Sequence, residues 1–297
     1  MARKPFSEPP PSHVIDLPRR ESRAPKRPWG GFWRLFFLVR LGVLLTVLAA
    51  VSLLAVQDFT GRAARLEWRR PLEVAIVLVQ QGELSPAGVR AFRSRLPRLE
   101  QELAGEFLRY RHADTPPFRF YVYGPVKAPP PPTPVASSSW LDQFADGVGR
   151  RVYAERLNRL ANTPLLGFDS RVYVSVTEPG RTSPLRFVEG FSEQGGRYGF
   201  VSVQLDPTMV DYALFVVVHE LFHTLGATDK YDSVGRTVVP SGLVDPARVP
   251  LYPQPRADVM AHGRPVSEVR DEPPADLSEL GVGPATAREL RWLVSRP

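Results

Sequence analysis

Two histidines four residues apart inside a long apolar run constrain this chain more than any other feature. Residues 212–225 are apolar except for His219, Glu220, His223 and Thr224. That is too long a run for an ordinary strand. Asp206 and Pro207 suit an N-cap and a first helical position, and Gly226 suits a left-handed C-cap. Val216, Val217 and Val218 alone favour a strand, so the expectation of a helix rests on length and caps. On a helix, His219 and His223 stand on one face, from which both imidazoles can reach a single Zn²⁺ at about 2.0–2.1 Å. Glu220 follows the first histidine and reaches a water on such an ion rather than the ion itself. Zinc-held water has a pKa near about 7, so an adjacent carboxylate can take its proton. The plainer alternative is a pair of core histidines bonded to backbone carbonyls.

The continuation, Gly226-Ala227-Thr228-Asp229, extends the spacing to H-E-x-x-H-x-x-G-x-x-D. With Asp258-Val259-Met260-Ala261-His262-Gly263 downstream, residues 170–263 resemble the metzincin zinc peptidases. The aspartate in third-ligand position resembles the snapalysin-like minority of that group. The resemblance implies His219, His223 and Asp229 as zinc ligands, Glu220 as general base and Met260 in a methionine turn below the metal. It also implies a polypeptide substrate bound along a cleft. Some members carry a tyrosine two residues after the methionine, where this chain has His262. That residue is a candidate catalytic oxyanion donor, a fourth ligand or a bystander. Asp232 competes with Asp229 for the third-ligand role.

The first 34 residues hold eight Lys/Arg and three Asp/Glu among scattered prolines, a composition expected to be disordered. Residues 35–57 form an apolar stretch interrupted by Arg40, long enough on hydropathy to span about 30 Å of hydrocarbon. The basic side precedes it, which places the N-terminus in the cytoplasm and the remainder in the periplasm or outside the cell. The expected organisation is a cytoplasmic tail (1–34), a transmembrane helix in the inner membrane (35–57), a linker (58–67) and a zinc peptidase domain (68–297). A cleaved signal peptide is the alternative to an anchor. The chain has no cysteine, so any zinc is held by histidine and carboxylate. The tail accounts for five of the seven net positive charges, which argues against a nucleic-acid partner. A single Gly-Val-Gly-Pro near the C-terminus resembles half of a helix-hairpin-helix element, but is read as a glycine turn into a proline-started helix.

Strands are expected at 72–80, 118–123, 171–176 and 198–205. Helices are expected at 85–110, kinked or split at Pro97, and at 140–160, with a proline-rich loop between 129 and 134. The expected class is α+β: a metzincin-like twisted mixed sheet with backing helices and an active-site helix, preceded by one transmembrane helix. Residues 198–203 are the expected substrate-binding edge. The rival functions are a zinc-stabilised binding module without catalysis and a zinc amidase acting on cell-wall amides.

Overall fold

The computed structural model describes residues 30–132, 139–164, 166–177, 189–192 and 195–293. It divides into two compact units, one ending at Leu54 and one beginning at Ala55. From Gly30 onward the first unit is helix, the start of α1 (Gly30–Arg65). The second unit opens with the last turns of that helix and holds every other element. Residues 1–29, most of the expected tail, lie outside the described residues, as does Pro134 of the proline loop.

The expected transmembrane helix is not supported. No helix among the described residues is long and apolar enough to cross a membrane. α1 carries Arg34 just before its apolar stretch and Arg40 within it, and continues without a break into Asp58, Arg62 and Arg65. The charge-free part of the helix is confined to residues 41–57, and no helix end falls at residue 57. The inner-membrane placement, with a cytoplasmic tail and a periplasmic domain, depended on that span and is withdrawn with it.

The expected α+β class is corrected to α/β. β1 (Leu72–Gln80), α2 (Pro86–Leu108), β2 (Phe118–Lys127), α3 (Trp140–Leu160), β3 (Ser170–Thr177), β4 (Glu189–Ser192) and β5 (Tyr198–Gln204) build one sheet of order β2-β1-β3-β5-β4. The four strands β2, β1, β3 and β5 are parallel, and only the short β4 is antiparallel. The physical reason lies in β1 itself. Val74, Ile76 and Leu78 face one core with α2 and α4, while Val77 and Val79 face another with Tyr153, Ala154 and Leu157 of α3. A strand buried on both faces reads as an unbroken apolar run, and helical crossovers on both sides force its neighbours parallel.

α2 packs Phe92, Leu96, Leu99, Leu103 and Phe107 on the sheet at helical spacing and is capped by Ser85, whose Oγ accepts the Gly88 N–H. It runs through Pro97 without splitting. Pro97 lies on the exposed face beside exposed Arg93, where water can satisfy the carbonyl that proline leaves unbonded. The described part of the proline-rich segment is irregular chain between β2 and α3, as a loop reading requires.

α4 (Val210–Leu225) follows β5 and buries twelve of its sixteen residues. Its start differs from expectation. Asp206 caps the turn before it, accepting from the Thr208 N–H and hydroxyl, and the helix begins at Val210. Its end is as expected: Gly226 adopts φ +97, and its N–H closes on the His223 and Phe222 carbonyls. Arg65, 4 % exposed, donates to the carbonyls of Gly195, Gly196 and Thr224. It thereby places a cation at the negative end of α4. Beyond α4 come an irregular segment with short pairs β6 (Ala257–Asp258), β7 (Arg264–Ser267), β8 (Arg270–Glu272) and β9 (Leu280–Gly281), then α5 (Pro284–Glu289). This segment adds Val259, Met260, Leu280, Val282 and Trp292 to the α2–α4 core.

Candidate metal centre

His219 and His223 lie in the last two turns of α4, with ring centroids 4.7 Å apart and nearly perpendicular. His219 Nδ1 is 2.8 Å from the Val259 carbonyl and His223 Nδ1 is 2.9 Å from the Ala227 carbonyl. A carbonyl only accepts, so each Nδ1 carries its ring's proton and each Nε2 presents a lone pair. The two Nε2 atoms are 3.1 Å apart, and Asp229 Oδ1 lies 3.2 Å from that of His219 and 3.1 Å from that of His223. Three electron-rich atoms at such separations repel unless a positive charge lies among them. Ligands about 2.0–2.1 Å from one ion at the tetrahedral angle are about 3.3–3.4 Å apart, close to the spacing observed. His219, His223 and Asp229 form a group that could hold a metal ion.

The electrostatics agree. Partial burial would raise the Asp229 carboxyl, yet the two imidazoles beside it hold it well below the usual carboxylate range. Burial alone would lower His223, but the Asp229 carboxylate against its ring and the charge of Glu220 outweigh this and raise it. The cluster thus draws positive charge to itself.

Asp232 is not in the group. Its Oδ1 accepts the N–H groups of Val234 and Arg236, capping the turn after the ligand loop. His262 is not in it either. It is exposed, and its ring packs edge-on against Tyr231 at 5.6 Å. Met260 is fully buried in the core, and its turn reaches the site through backbone: Val259 supplies the acceptor for His219. Asp258 holds this turn, accepting from Met260 N–H, Gly283 N–H and the Thr286 hydroxyl. The Gly283 amide is therefore spent internally rather than offered to a phosphate.

Glu220 is 3 % exposed. Its Oε2 is buried without a hydrogen-bond partner among the described residues. Burial raises its pKa, while the charges of His219 and His223 and the nearby Ser192 hydroxyl pull it back. Gly190 of β4 lies directly over it, and a Cβ there would run into the carboxylate. A cavity of about 390 Å³ opens onto Glu220, the three candidate ligands, Ser192 and Tyr231. A smaller recess of about 90 Å³ continues toward Tyr212, Phe215, Val216, Ala261 and His262.

Sequence reasoning missed three of these residues. Tyr231 lies two positions after Asp229, and its ring stacks near His219 at 6.2 Å. Burial first and the Asp229 charge second push its hydroxyl up to about 12, and it is hydrogen-bonded to Asp229. The i, i+2 spacing in extended chain could have flagged it. Gly190 and Ser192 come from β4, which carries no local signal. The expected edge at 198–203 is interior, since β5 pairs with both β3 and β4, and β4 occupies the edge. A scan against protein-family models finds no match for the chain, and a search of the curated proteins finds none.

Proposed function

We propose that the chain is a zinc-dependent metallopeptidase of metzincin-like character, with His219, His223 and Asp229 as ligands. The observation that carries this reading is the buried Glu220 carboxylate, its Oε2 without a partner among the described residues, opening onto the same cavity as three converging candidate ligand atoms. Two imidazoles and one carboxylate suit zinc, and they also suit non-haem iron. The buried Glu220 carboxylate favours zinc, because hydrolysis needs a base beside the metal. Held there, the ion supplies Lewis acidity toward a carbonyl oxygen and toward water.

The chain supplies the rest. Glu220 takes a proton from the water that attacks the carbonyl carbon and returns it to the departing amide nitrogen. Tyr231, protonated at neutral pH, donates to the carbonyl oxygen as charge develops there. We assign this role to Tyr231 rather than His262, which touches the Tyr231 ring and lines only the smaller recess. Among the described residues the outer edge of β4 has no paired strand and can receive an extended polypeptide directly beside Glu220. A closed structural site would have four protein ligands, and three are grouped among the described residues, which weighs against a non-catalytic binding module.

The test is hydrolysis of an unfolded polypeptide by the full chain. Activity should be abolished by a chelator and restored by stoichiometric Zn²⁺. Restoration by Fe²⁺ alone, or an inert zinc-loaded protein, contradicts the proposal.

A further inference from the structure

Asp229 is the least sheltered of the three candidate ligands, its side chain 44 % exposed, so core packing does not fix its position. Its two neighbours in sequence are fixed instead, and by one group. Glu289, the last residue of α5, accepts the Thr228 N–H at 2.9 Å and the Thr228 hydroxyl at 2.8 Å. The Lys230 ammonium donates to both Glu289 oxygens, at 2.8 and 2.9 Å, and to the Thr228 carbonyl and hydroxyl oxygens at 2.9 and 2.6 Å. Lys230 is only 5 % exposed. An ammonium so buried needs a paired carboxylate to remain charged without a large cost. The backbone closes the frame: Lys230 N–H donates to the Met260 carbonyl and Val238 N–H to the Lys230 carbonyl, both at 2.7 Å.

We infer that Glu289 is a positioning residue for the metal centre, clamping the residues on either side of Asp229 so that its carboxylate stays aimed at the two imidazoles. This rests on the reading of His219, His223 and Asp229 as ligands. Glu289 acts in two ways. It holds the Thr228 backbone in place, which fixes where the Asp229 Cα can be. It also engages the Lys230 ammonium, so that the cation next to Asp229 does not compete with a metal for its carboxylate. The same short helix holds the turn behind His219 through the Thr286–Asp258 bond. Two of the three ligands are thus set from α5, a segment about sixty residues away in sequence.

The experiment measures zinc affinity by competition with a chromogenic chelator, and the visible spectrum of the Co²⁺-substituted protein. It uses the full chain as wild type, Glu289→Gln, Glu289→Ala and Thr228→Val. The Glu289 variants should lose about 10- to 100-fold in zinc affinity, the usual range for residues that orient a ligand, and should shift the cobalt spectrum. Thr228→Val, which removes the hydroxyl held by Glu289 and Lys230 but keeps the Thr228 N–H bond to Glu289, should move both in the same direction by less. A merely structural role would lower the melting temperature of the metal-free protein and leave the spectrum of the folded protein unchanged. Unchanged affinity and spectrum in folded Glu289→Gln and Thr228→Val overturn the inference. If neither Glu289 variant folds, Thr228→Val decides it. A wild type that binds neither Zn²⁺ nor Co²⁺ overturns the ligand reading and this one together. A wild type that binds zinc but cleaves nothing overturns only the peptidase reading.

Discussion

Adding one methyl group at Gly190 should disable the site while leaving its metal in place. A Cβ at that position meets the Glu220 carboxylate. Glu220 has little room to retreat, because it is 3 % exposed and its own Cβ lies against Gly199 of β5, where an added methyl would come within 3.2 Å of it. Gly190→Ala must therefore turn the carboxylate away or push β4 outward. Overpacking of this kind costs about 1–3 kcal/mol of stability. Displacing a general base costs about 10²- to 10⁴-fold in rate. The ligand atoms are set by the Val259 and Ala227 carbonyls and the loop of Asp229, so zinc affinity should stay within about threefold, a change of about 0.7 kcal/mol. The assay is kcat on an unfolded polypeptide, with zinc affinity measured in parallel, in the wild-type and Glu220→Gln backgrounds. If Gly190 acts through Glu220, the substitution should cost almost nothing further once the base is gone. Full activity in Gly190→Ala, or the same fold-loss in both backgrounds, refutes the reasoning.

Three further outcomes follow from the geometry. Asp229→Ala should abolish stoichiometric zinc binding measured by metal analysis, whereas Asp232→Ala, which removes only a turn cap, should retain it. Tyr231→Phe should lower kcat by about 10²- to 10³-fold, as loss of an oxyanion donor does, with little change in KM; His262→Ala should have a much smaller effect in the same assay. Burial raises Asp258 from 3.8 to about 6, against hydrogen bonds from Gly283, Met260 and Thr286 that lower it. The folded state then holds an extra proton between those values, so this group's contribution is full below about pH 4 and lost as pH rises through about 6, roughly 3 kcal/mol in all. Urea unfolding of wild type and Asp258→Asn across that window should show the slope only in the wild type.

The candidate metal ligands are legible in the sequence because their geometry is local. Spacing on one helix fixes His219 and His223, and a glycine with φ +97 turns the chain so that Asp229 returns to them. The strands are legible too, but not their arrangement. The unbroken apolar run of β1 signals burial on both faces, and a parallel sheet follows only once helices are known to cover both. Gly190 and Ser192 are invisible because β4 is brought over Glu220 by sheet pairing with β5, an arrangement no local pattern encodes. Glu289 is invisible for the same reason, since its link to Asp229 is tertiary. The apolar stretch at 35–57 misleads because hydropathy discounts a single Arg40 as able to reach a membrane surface, and says nothing of a helix continuing through Asp58, Arg62 and Arg65.

The central claim is that Glu220 is the base of a metal-dependent hydrolase. The measurement is zinc content together with the hydrolysis rate of an unfolded polypeptide, for the full wild-type chain and Glu220→Gln. Both proteins should carry one zinc per chain, and the variant should lose at least about 10²-fold in rate. A variant that binds zinc and cleaves as fast as the wild type contradicts it.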